Sequence, residues 1–190
     1  MEFEAMGACY IERMRFQIDE AVGILRSTPR VCAALLQDLP ERWLNAHEAP
    51  DTFSPLDVLG HLIFGEQTDW IPRARIILEC GESRPFDPFD RRGFGSLLEG
   101  RSVRDLLGLF SDLRTQNLAA LEALEIGPDK LELAGTHPAL GRVSMRNLLA
   151  SWAVHDLGHT SQIVRVLAKQ YREDVGPWVG FMSILNNPPA

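Results

Sequence analysis

Residues 144–171 read SMRNLLASWAVHDLGHTSQIVRVLAKQY. Leu148, Leu149, Trp152, Leu157, Ile163, Val166 and Leu167 recur at helical spacings, and Ser144 stands where an N-cap is wanted. The stretch therefore predicts one long helix from Ser144 to about Tyr171. His155 and His159 lie four residues apart, one turn above each other on one face of that helix.

The same period runs through the rest of the chain. A first segment carries Ile11, Met14, Ile18, Val22 and Leu25 on one stripe, then meets Ser27-Thr28-Pro29, which predicts a kinked or two-part helix ending near Leu39-Pro40. Ser54-Pro55-Leu56-Asp57 combines an N-cap serine, proline at the first helical position and a carboxylate three residues on. A second long helix should start there, kink at Pro72 and end before Gly81. Residues 81–100 hold Pro85, Pro88, Gly93, Gly95 and Gly100, too many breakers for a regular element, and read as an ordered crossover loop. Ser102-Val103-Arg104-Asp105 opens a third helix with Leu106, Leu109, Phe110, Leu113, Leu118, Leu121 and Leu124 on its stripe, closing by Gly127-Pro128. Residues 130–143 read as a loop with room for a short strand pair, and a short helix is expected around Pro177–Leu185. The fold class is all-α: a four-helix bundle with a long crossover loop and a short C-terminal helix, one domain over residues 1–190.

Composition narrows the function. The chain is 45% apolar and 24% charged, as soluble globular proteins are, and its apolar runs fall well short of the ~20 residues of a membrane span. The first twenty residues mix acids and bases without a secretory pattern, so a cytoplasmic location is expected. The three cysteines, Cys9, Cys32 and Cys80, are far apart and read as reduced thiols. Asp and Glu exceed Lys and Arg by 26 to 19, giving a net charge of −7 that disfavours a nucleic-acid partner.

Chemistry centres on the histidines. Two imidazoles rarely suffice for a metal, and His61, inside the second helix at the edge of its apolar stripe, is the natural third ligand. A site of His61, His155 and His159 would leave coordination positions open for Lewis-acid chemistry. The string His155-Asp156-Leu157-Gly158-His159 is a poor match to the HExxH zinc proteases, because aspartate is one methylene shorter than their glutamate base. Asp156 is expected on a flank of the helix or orienting a ligand. Gln162 shares the histidine face and would bond a ligand imidazole or tie two helices. Trp152 would wall the pocket or serve the core, Gly65 would leave room beside a metal or allow close packing, and His137 and His47 read as solvated or structural. No catalytic residue is assigned.

With these residues assembled, the chain resembles the DinB-like family, the damage-inducible four-helix bundles that include bacillithiol S-transferases and relatives of mycothiol-dependent isomerases. The resemblance rests on Phe53-Ser54-Pro55 leading to Val58-Leu59-Gly60-His61-Leu62, on Gly135-Thr136-His137-Pro138-Ala139-Leu140-Gly141, on Leu148 through His159, and on Gln162-Ile163. It implies a divalent transition metal, zinc or nickel, on His61, His155 and His159. Phe53 departs from the tryptophan common before Ser-Pro, a change expected to affect packing near the helix start and leave the ligands alone. The family also implies a metal-dependent thiol S-transferase acting on a small-molecule substrate, a low-molecular-weight thiol. A hydrolase using metal-bound water and a non-enzymatic, stress-related metal-binding bundle are the alternatives. No membrane partner is expected; a homodimer is compatible, although no stripe is surplus to the core.

Overall fold

A computed structural model describes residues 15–187. The elements in chain order are α1 (Ile18–Leu36), α2 (Glu41–Leu44), α3 (Pro55–Thr68), α4 (Trp70–Cys80), α5 (Gly95–Leu98), α6 (Val103–Ala123), α7 (Pro128–Leu131), β1 (Ala134–His137), β2 (Gly141–Ser144), α8 (Met145–Lys169) and α9 (Ser183–Asn186). The long helices α1, α3, α6 and α8 form the bundle, with α3 and α1 against α6 and both also against α8. The all-α four-helix bundle expected from the sequence is therefore present.

Three of these helices begin on a complete capping box: Ser54 with Asp57, Ser102 with Asp105, and Ser144 with Asn147. Each serine hydroxyl accepts the backbone N–H three residues on, while that residue's side chain accepts the serine N–H. Such a cap contributes about 1 kcal/mol. The final segment resolves into a 3₁₀ turn over Gly176–Phe181 and then α9.

Two proline expectations need correction. Helix α1 is one continuous element through Pro29, whereas a kinked or two-part helix was expected, and it ends at Leu36; the residues proposed for its first turns, Ile11 and Met14, lie outside the described residues. Proline has no N–H to offer the carbonyl four residues back. That carbonyl, Leu25 O, is instead taken by Arg114 Nη1 of α6 at 2.5 Å. In the second helical segment the break falls at Asp69, which carries φ −112° and ψ −68°, and not at Pro72. Pro72 then occupies the first turn of α4, where a missing N–H costs nothing.

The crossover is tied to the bundle end by strand-like contacts. β1 and β2 form an antiparallel hairpin with His137 opposite Gly141, whose φ of +72° suits a residue without a Cβ. Phe86 N donates to Thr136 O at 2.9 Å, docking the loop on β1.

The core has two apolar clusters. One gathers Trp70, Ile77, Leu121, Met145 and Trp152; the other gathers Leu36, Leu59, Phe110, Leu106 and Ile163. At their junction sits Arg114, with its guanidinium 5.1 Å from the Phe110 ring centre and 5.3 Å from that of Trp152. It donates to both oxygens of Asp156 at 2.6 and 3.1 Å and to Glu66 Oε1 at 2.8 Å, with all three side chains buried. Trp152 Nε1 and Asn117 Nδ2 supply further donors to Glu66. Asp156 is therefore on the flank that faces α6. It is also why Cys32, buried nearby, is pushed up to about 12, first by burial and second by the Asp156 charge. Cys32 and Cys80 are both free thiols, while Cys9 lies outside the described residues.

Replacing the guanidinium alone would leave two buried carboxylates and the Leu25 carbonyl without their donor. Arg114→Met is expected to lose about 3–5 kcal/mol in urea denaturation. Addition of Glu66→Gln and Asp156→Asn should restore part of it.

Candidate metal centre

His61 comes from the middle of α3, and His155 and His159 come from successive turns of α8. The three side chains each offer a ring nitrogen, and these nitrogens lie within 4.8 Å of one another. His61 Nε2 and His155 Nε2 are 3.1 Å apart. Tetrahedral zinc with nitrogen ligands at roughly 2.0–2.1 Å requires nitrogens roughly 3.3 Å apart, so the cluster has the dimensions of a single-ion site.

The outer nitrogens support the same reading. His61 Nδ1 donates to Arg91 O at 3.1 Å and His159 Nδ1 donates to Gln162 Oε1 at 2.9 Å. A proton held at Nδ1 leaves Nε2 as a lone pair directed into the cluster, the arrangement that orients metal-bound imidazoles. Gln162 thus bonds a candidate ligand on its own helix. Buried His155 Nδ1 has no partner among the described residues.

Burial, reinforced by the neighbouring imidazoles, lowers the pKa of His61 to about 4 and of His155 to about 3, and burial lowers that of His159 as well. All three are neutral at pH 7, the form a metal requires. Phe53, Phe89 and Phe94 surround His61 at ring separations of 5.6, 5.3 and 6.4 Å. The Phe53 position therefore does touch a candidate ligand, contrary to the expectation that it would act on packing alone.

A cleft of about 250 Å³ opens onto the cluster, and its walls include residues that periodicity does not single out. They are Asp69 and Trp70 at the α3–α4 break, Arg73 on α4, Phe89 and Arg91 on the crossover loop, and His137 at the end of β1. Gly65 also lines it, and a Cβ there would meet Trp70 Nε1 at 3.4 Å. Trp152 is fully buried and stacks on Trp70, 5.6 Å away, so it supports the wall from the core. Asp69 binds Arg73 Nε at 2.6 Å, and burial still raises its pKa to about 6. His137, expected to be solvated or structural, faces the cleft, while His47 is exposed and bonded through Nδ1 to Thr52 O. A larger groove of about 910 Å³ runs between α1 and α6, but no histidine or cysteine lines it.

The sequence profile of the DinB superfamily matches residues 24–163. The chain belongs to the DinB superfamily. Among solved structures, it is similar to YfiT from Bacillus subtilis, described as a probable metal-dependent hydrolase with an unusual four-helix bundle topology. The TM-score is 0.70 at 17% identity, covering 87% of this chain and 95% of that one. At that identity the likeness establishes the bundle fold. No curated protein matches the chain. Among the described residues, no helix is long and apolar enough to cross a membrane.

The histidine shifts set a pH dependence. Between their lowered values and the ordinary 6.5, the unfolded chain binds protons that the folded chain does not, so stability is lost as pH falls through that window. Asp69 acts in the opposite sense: its stability contribution is lost as pH rises from 3.8 to about 6. Comparing the metal-free parent with His155→Gln isolates the imidazole, because Asp69 is common to both. The parent should lose more stability between pH 7 and pH 5 in urea titrations; equal losses would show that His155 is not held neutral by the fold.

Proposed function

We propose that the chain is a metal-dependent hydrolase whose divalent ion is held by His61, His155 and His159. The observation that carries this reading is the convergence of three neutral imidazoles on one point, in a cleft that also contains a buried carboxylate, Asp69. A bound divalent ion supplies Lewis acidity at positions the histidines leave open. The described relative of the same fold, a probable metal-dependent hydrolase, points to the same class of reaction.

The residues divide the remaining work. Gln162 and the Arg91 carbonyl hold two imidazoles by their outer nitrogens, which keeps the inner lone pairs directed inward. Asp69, with its pKa raised toward neutrality, accepts the proton of the attacking water as general base, and Arg73 fixes its carboxylate. Thiol transfer, implied by the family resemblance, would occupy the same open positions but has little need of a buried base, since a thiol ionises near pH 8.5 unaided. Asp69 therefore tips the reading toward water. A purely metal-holding role is disfavoured by the polar lining of the cleft, which Arg91 and His137 extend beyond the ligands.

The test loads the protein with zinc or nickel and screens it against activated esters and amides, and separately against low-molecular-weight thiols with electrophiles. Hydrolysis should fall about 10²-fold or more in Asp69→Asn at unchanged metal content. Thiol transfer without hydrolysis, or hydrolysis indifferent to Asp69→Asn, would overturn the proposal.

A further inference from the structure

The crossover loop carries three arginines whose side chains have different fates. Arg84 pairs with Asp87, and Arg92 donates to Asp51 O while lying over the Phe53 ring. Asp90, the nearest acid to Arg91 in sequence, is engaged by Arg92 N–H. Arg91 is held by its backbone, since its carbonyl accepts the His61 Nδ1–H, yet its guanidinium has no hydrogen bond or ion pair among the described residues. It lines the same cleft as the three histidines.

The other groups on that wall leave its charge uncompensated. Arg73 is neutralised by Asp69. His137 Nδ1 accepts the N–H groups of Ala139 and Leu140 at 3.1 and 3.2 Å, so its ring proton sits on Nε2, a neutral donor. With the histidine ligands also neutral, the cleft carries one positive charge before any ion is bound, in a chain whose net charge is −7. The Arg91 charge is close enough to contribute to the lowered values of all three histidines.

We propose that Arg91 is the anchor for a carboxylate on the substrate, so that the molecule processed is a small carboxylate-bearing compound whose reacting group lies at the histidine cluster. A planar guanidinium pairs with carboxylate through two parallel hydrogen bonds, and the His137 Nε2–H is a second donor on the same wall. The cleft, at about 250 Å³, is below the roughly 300–1,000 Å³ typical of sites for drug-sized ligands, which fits a compact metabolite. This inference rests on the metal-centre reading above.

Two hydroxamate probes test it on cobalt-loaded protein, with binding read from the visible spectrum of the ion: acetohydroxamate, and succinate monohydroxamate, which adds a carboxylate. The parent should bind the second at least about tenfold tighter, since a hydrogen bond to a charged group is worth that factor or more. Arg91→Gln should bring the two within about twofold, at unchanged cobalt content and helical circular dichroism. Equal binding in the parent, or a preference that survives Arg91→Gln, would overturn the anchor while leaving the metal centre intact. Loss of cobalt in Arg91→Gln would make the residue structural and also overturn it. Failure of the parent to bind cobalt would remove the metal centre, and the anchor with it.

Discussion

One guanidinium organises this bundle. Arg114 reaches from α6 to the carboxylates of Glu66 on α3 and Asp156 on α8, and to the α1 carbonyl that Pro29 leaves without its helical partner. A buried ion cluster of this kind is a weak source of net stability, because desolvation offsets most of the attraction. Its value is geometric. Four helices share one set of short, directional hydrogen bonds, and a slide or rotation of any one of them would strand a buried charge.

That constraint bears directly on the chemistry. Asp156 is the residue after His155, and Glu66 is five residues after His61, so the clamp holds the two helices at the level where their imidazoles meet. The stacked Trp70 and Trp152 connect the layers: Trp152 donates to Glu66, and Trp70 meets the His155 ring edge 5.2 Å away. The imidazoles are preorganised by a polar core on one side and an aromatic cage on the other. Burial that would be costly for a charged histidine favours the neutral form that coordinates an ion.

Much of this was legible in the sequence because it depends on local rules. Capping serines with acid or amide three residues on marked three helix starts, and the four-residue spacing of His155 and His159 placed both on one face. The part that was not legible depends on distant partners. Pro29 read as a break because nothing local could satisfy Leu25 O, whereas the donor is 89 residues away on another helix. Asp69, rather than Pro72, ends a helix because proline is harmless in the first turn of the next one. Arg91 and His137 sit in aperiodic segments, and only the folded loop and hairpin bring them to the histidines. The one local signal for His137 was its place before Pro138 in a glycine-flanked turn.

The central claim is that the fold brings His61, His155 and His159 together as a single-ion centre. Elemental analysis of protein purified without affinity tag or chelator, beside His61→Ala, His155→Ala and His159→Ala variants of parental helical content, tests it most directly. The account predicts about one transition-metal ion per chain in the parent and a loss in every variant. A parent that takes up no zinc or nickel on incubation, or a variant that keeps its ion at full occupancy, would contradict it.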